Sequence, residues 1–232
     1  MRMKSEPPVF LKMRSILLFV LCLSPLAAQD SKITLRLFAL KEADYPVMFA
    51  LKGKKPVELP VSSVQPAPSV VVDYLSPLPI YTGELTENGQ PADTAPSLVR
   101  LPKGKAFLLL TWLQDGKPRF LAIPDDFSKA SHKDWIAINS GPRDIALKIG
   151  GKSKPLHFKP GSHESFQINL PADSGAAVTA AFLNGKSWKP FYSTYWPIFE
   201  KRRGLVIFFD DERGKPRLRL ILEDLLPKPE PR

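Results

Sequence analysis

Apolar residues recur at every second position through several short stretches of the chain. Ile33, Leu35 and Leu37 alternate with Thr34 and Arg36, and Ile145, Leu147 and Ile149 with Ala146 and Lys148. Leu156 and Phe158 alternate with His157 and Lys159, and Phe166, Ile168 and Leu170 with Gln167 and Asn169. A period of two with one wet face predicts half-buried strands of antiparallel sheets. The runs at 70–72, 107–110 and 205–209 are continuously apolar, which predicts strands at the centre of a sandwich. Asn88-Gly89, Asp115-Gly116, Gly150-Gly151, Pro160-Gly161 and Asn184-Gly185 supply turns at short intervals. That punctuation predicts an all-β sandwich or barrel. Helical candidates are limited to a turn or two within 125–132 and a short terminal turn at 223–226.

The pattern is written twice. AFLLLTWLQDGKPRFLAI (106–123) and GLVIFFDDERGKPRLRLIL (204–222) align without gaps at an offset of 98, each an apolar strand, a polar turn, GKPR and a second apolar strand. Upstream, VMFALKGKKPVELP (47–60) matches IALKIGGKSKPLHFKP (145–160) at an offset of 98 to 100. Self-similarity at a fixed period is the signature of a repeated unit, although hairpins also converge on Gly-Lys-Pro turns. A length near 98 is that of an immunoglobulin-like sandwich of about seven strands, a resemblance of pattern and size. The expected architecture is therefore two tandem antiparallel β-sandwich modules, 30–127 and 133–227. A polar hinge lies between them at 125–133, a flexible loop at 86–97, and an extended tail at 228–232.

Composition narrows the class. Proline is 25 of 232 residues, roughly double its average usage, which disfavours a helical bundle. One cysteine and three histidines exclude a disulfide scaffold and leave little for a metal centre. The amino terminus carries Lys12, Arg14, an apolar stretch from Ile16 to Leu23, and Ala27-Ala28. This reads as a secretory signal peptide, 1–28, cleaved near Ala28, with Met13 as an alternative start. The apolar run is too short to span a bilayer. Leu21 before Cys22 argues against lipidation. Loss of the leader leaves a chain without cysteine and with no N-x-S/T acceptor, which points to a bacterial envelope protein, and the leader makes the expected location secreted or periplasmic. Removing four Lys/Arg and one Glu from the net +10 leaves about +7.

No motif announces a reaction. Asp210-Asp211-Glu212 and Asp125-Asp126 lack the spacing of a calcium loop. His157, His163 and Glu164 are the only close His/carboxylate group, but Lys159 shares a face with His157 and its ammonium disfavours a bound cation, and Ser162 has no nucleophile elbow. The expectation is a non-enzymatic protein without catalytic residue, metal or cofactor. The densest chemistry is WKPFYSTYWPIF (188–199). Its prolines argue for loop or edge-strand backbone. Trp188, Tyr192, Tyr195 and Trp196 are candidate stacking residues for sugar rings, beside Lys201, Arg202 and Arg203 as holders of acidic groups. The structural alternative is that these aromatics fill the second module's core. The expected partner is an envelope polysaccharide or other anionic polymer, not nucleic acid. Two further readings stay open: a protein partner added to a sheet edge, and a hydrolase whose site is assembled only in the fold.

Overall fold

The period-two segments fold as strands. A computed structural model describes residues 32–92, 95–151 and 153–225. The leader with Met13 and Cys22, Lys152 and the tail at 228–232 lie outside the described residues. The first half contains β1 (Lys32–Ala39), β2 (Met48–Lys52), β3 (Lys55–Glu58), β4 (Val70–Asp73), β5 (Leu78–Thr82), β6 (Ser97–Val99), β7 (Ala106–Gln114) and β8 (Lys117–Pro124). The second contains β9 (Asp134–Asn139), β10 (Ile145–Ile149), β11 (Leu156–Phe158), β12 (His163–Gln167), β13 (Ser174–Asn184), β14 (Ser187–Ile198), β15 (Arg202–Asp210) and β16 (Pro216–Asp224). Among the described residues the only helical element is the 3-10 turn Phe127–Lys129, and Glu223 and Asp224 end a strand instead of starting a helical turn.

The strands form four sheets, ordered β3-β2-β5-β6, β4-β1-β7-β8, β12-β9-β15-β16 and β11-β10-β13-β14. Three apolar clusters lie between them. The first and second sheets share Leu35, Leu37, Met48, Ile80 and Leu109, and the third and fourth share Trp135, Leu147, Val178, Trp196 and Phe208. The second and third sheets share Phe38, Leu108, Leu110, Ile136, Ile138, Leu205 and Ile207. The result is a four-layered stack in which each half closes on its own core like a β-sandwich, and the two inner sheets pack face to face. Numbered within each half, both inner sheets read 4-1-7-8 and both outer sheets 3-2-5-6. This order differs from the immunoglobulin arrangement of A-B-E-D against C-F-G.

The inner position of two sheets corrects several expectations. β1 pairs β7 in parallel and β9 pairs β15 in parallel, so the inner sheets are mixed, not wholly antiparallel. The chain leaves β1, builds the outer sheet, and returns alongside it in the same direction. β1 has no wet face: Arg36, read as outward, is buried in the seam between the inner sheets. The runs at 107–110 and 205–208 are central and buried on both faces, with Phe209 partly buried at the end of the second, whereas 70–72 forms an edge strand with Val71 exposed. The segment expected as a hinge supplies Asp125 and Phe127 to that same seam.

The two GKPR hairpins differ in their turns. Asp115-Gly116 is a two-residue turn with both φ positive, the primed geometry that suits the strand twist. In the second hairpin Asp211 N–H donates to the Lys215 carbonyl, and Glu212-Arg213-Gly214 closes the loop with Gly214 at φ 67. The extra residue moves the strand before it. Ile221 takes the place of Ile123 at an offset of 98, but their partners Leu205 and Leu108 are 97 apart. The gapless alignment therefore holds in the second strand of the hairpin and slips by one in the first.

Gly204 is required by packing. Its Cα faces the ring of Trp135, which occupies the space a Cβ would need. Trp135 is fully buried, and its Nε1–H donates to the His132 carbonyl at 2.9 Å. Gly204→Ala is expected to lower stability by about 1–3 kcal/mol through overpacking, read as a lower urea midpoint at unchanged slope.

Candidate functional site

The aromatic stretch at 188–199 lies mostly in β14, the edge strand of the last sheet. Pro190 and Pro197 fall within it, and neither can donate to a further strand. Tyr192 stands opposite Ala180 and Pro190 opposite Ala181, so Phe191 is the extra residue of a β-bulge. The bulge decides which aromatics share a face. Trp188 and Tyr195 are seven positions apart and would point to opposite sides of an unbroken strand. With Phe191 extra, both reach the solvent face of the sheet.

The candidate residues therefore divide. Trp196 is 2% exposed; its ring stacks on Trp135 at 5.5 Å and its Nε1–H donates to the Tyr192 hydroxyl at 2.9 Å. Tyr192 packs against the same core with Phe191, whose ring meets Phe182 edge-on at 6.1 Å. Trp196 and Tyr192 thus belong to the core side of β14, because the inward register carries them there. Trp188 remains 42% exposed and Tyr195 66%.

The basic triplet divides as well. Lys201 is exposed. Arg202 is exposed, with Nε 2.6 Å from Asp224 Oδ1 and its guanidinium over the Phe199 ring. Arg203 is 3% exposed and cannot meet a ligand at the surface. It makes a bidentate contact to Asp125 at 2.8 Å on both nitrogens, and its Nε donates to Glu223 at 2.9 Å. Arg36 contacts both carboxylates from the other side, completing a buried quartet of two cations and two anions. The Phe127 ring lies 3.8 Å from the Arg36 guanidinium and 4.6 Å from that of Arg203. Burial opposes the Arg203 charge, but Asp125 and Glu223 outweigh it and hold the group protonated beyond its ordinary value.

Strand register defines the solvent face around Trp188 and Tyr195. Ala146, Ala181 and Pro190 form one row across β10, β13 and β14, with His157 of β11 at its end. Lys148, Thr179 and Ser193 form the next row, and Ala177 and Tyr195 the one after. Apart from Lys148, the residues of these rows between the rings are small or short: Ala146, Ala177, Ala181, Thr179, Ser193 and Pro190. Trp188 and His157 lean together across the alanine row, with ring centroids 5.3 Å apart. The Tyr195 ring lies on Gly175, where a side chain would displace it. The result is a strip of the sheet's solvent face, termed the trough below, with an aromatic ring at each end.

The other candidate groups are engaged elsewhere. Asp210 pairs with Arg143, while Asp211 accepts from Arg213 N–H, Lys215 N–H and Arg217. Asp126 holds Lys129 and Ser128. Ser162 Oγ donates to the Lys159 carbonyl at 2.7 Å. His163 is on β12, in a different sheet from His157, and burial pulls its imidazole below the ordinary value. Among the described residues no three His, Cys, Asp or Glu side chains are gathered as a metal ion requires. The groove of about 860 Å³ at the far end of the seam has Leu40, Leu110, Trp112, Leu121 and Phe209 in its lining, with Asp211 and Glu212 among its acidic groups.

Asp134 opens β9 and accepts from Ser131 N–H at 2.8 Å, Ser131 Oγ at 2.7 Å and Gln167 Nε2 at 3.1 Å. Burial raises its pKa, but these bonds and the Arg203 charge outweigh it and hold the carboxyl below 3.8. Its contribution to stability is complete above 3.8 and is lost as pH falls through the lower folded value. Asp134→Asn should therefore flatten the acid limb of stability against pH, and an unchanged limb would contradict this assignment.

No protein-family model matches the chain, and comparison with the curated proteins finds no match. Among the described residues no helix is long and apolar enough to cross a membrane.

Proposed function

We propose that the chain is a non-enzymatic binding protein of the bacterial envelope, secreted or periplasmic through the leader that ends near Ala28. It is built from two tandem β-sandwich modules that descend from one unit. The repeated strand orders and the shared GKPR hairpins support that descent. The function rests on the trough of the last sheet: two exposed rings, one of them close against Gly175, face solvent across a floor that is made of small residues apart from Lys148. Exposed aromatic faces at fixed spacing suit the stacking of sugar rings. Face binding is favoured over strand addition at β14 because Pro190, Pro197 and the bulge interrupt that edge.

The test is retention of the chain from Gln29 on purified polysaccharide, peptidoglycan, lipid and secreted protein, each across a salt series. Trp188→Ala with Tyr195→Ala should abolish retention on one carbohydrate fraction while leaving the fold intact. Gly175→Ala should weaken it by unseating Tyr195. Retention that disappears in moderate salt and is unchanged in these variants would reduce the case to general basic charge.

A further inference from the structure

We infer that the trough selects an acidic polysaccharide, with Lys148 as the residue that reads the acid group. This inference rests on the binding reading above and names its ligand. Three observations carry it.

The first is the span. The Trp188 and Tyr195 rows are three steps of two residues apart, about 20 Å along the strand, enough for several consecutive sugar rings. The second is the floor between the rings. Thr179 and Ser193 stand directly opposite each other, both exposed, and their hydroxyls have no hydrogen-bond partner among the described residues. They are free to exchange hydrogen bonds with sugar hydroxyls. The third is the charge. Lys148 is opposite Thr179 on the neighbouring strand, half-buried, and has no carboxylate partner among the described residues. Its alternation with Leu147 and Ile149, which pack inward, puts it on the trough side. An unpaired ammonium in the middle of a hydroxyl-bearing floor, with stacking positions at both ends, matches a chain of sugar rings that carries carboxylates.

The experiment uses polygalacturonate and alginate, each beside its methyl-esterified form, in which the same backbone has lost its charge. Binding to the chain from Gln29 is measured at physiological salt by calorimetry, together with Lys148→Gln and with Trp188→Ala plus Tyr195→Ala. The expected result is that at least one acidic polymer binds about tenfold more tightly than its ester, the worth of one charge-assisted contact. Lys148→Gln removes that difference without weakening the ester, and the aromatic double variant loses both forms. Equal binding of acid and ester, or a difference that survives Lys148→Gln, overturns the inference and leaves the binding reading standing. Failure of all four polymers, with no retention on the carbohydrate fractions above, overturns the binding reading itself. Circular dichroism of each variant separates loss of binding from loss of fold.

Discussion

Arg203→Met is expected to lower the free energy of unfolding by about 3–5 kcal/mol. The reason is the state it leaves behind. Asp125 and Glu223 are both buried, and with Arg203 gone they share one remaining cation, Arg36. Two carboxylates out of water with one partner are costly in a way that a surface pair is not. The Met side chain takes the place of the apolar stem, so the loss is one of charge, including the guanidinium 4.6 Å from the Phe127 ring, and not of volume. Adding Glu223→Leu to Arg203→Met leaves Arg36 with Asp125, one cation with one anion, and should recover a large part of the loss. Urea denaturation of the wild type, single and double variants gives the comparison at constant slope. A single variant within about 0.5 kcal/mol of wild type would mean that water reaches the quartet.

Trp196→Ala is expected to cost about 3–5 kcal/mol, while Tyr195→Ala, one residue away, should stay within about 0.5 kcal/mol. Truncating Trp196 leaves a cavity against Trp135 and deprives the Tyr192 hydroxyl of its donor. Truncating Tyr195 uncovers Gly175 and little else. The two variants should separate in the opposite sense in binding: Tyr195→Ala loses the polysaccharide, whereas Trp196→Ala affects it only as far as the fold loosens. Thermal unfolding and polysaccharide retention on the same pair of proteins give both readouts. A destabilised Tyr195→Ala and a silent Trp196→Ala would mean that the register of β14 is reversed.

Strand identity was legible because a period of two is local: the alternation at 33–37 and 145–149 needs no partner to be read. The face each strand presents was less legible. Arg36 alternates with apolar neighbours and reads as wet, yet the inner sheets pack on each other and bury it; its partners Asp125 and Glu223 are 89 and 187 positions away. Pairing direction is likewise a property of where the chain returns, which is why the parallel β1–β7 and β9–β15 pairs were missed. In the candidate site the composition drew attention to β14, but parity along it was hidden by the bulge at Phe191. Without that extra residue Trp188 groups with Trp196 and not with Tyr195. The floor had a readable signal: Gly175, Ala177, Thr179 and Ala181 are small at every second position. Lys148 had one too, at the polar position between Leu147 and Ile149, but nothing in the sequence places it opposite Thr179.

The central claim is that the solvent face of the last sheet is where the ligand docks. Amide chemical-shift mapping of the chain from Gln29, titrated with the soluble polysaccharide it retains, tests this directly. The expected shifts fall on Lys148, Ala177, Thr179, Ala181, Trp188, Ser193 and Tyr195, with the seam around Arg36 and Arg203 unmoved. Shifts gathered instead along the 860 Å³ groove at Leu40, Trp112 and Phe209, with the trough silent, would contradict it.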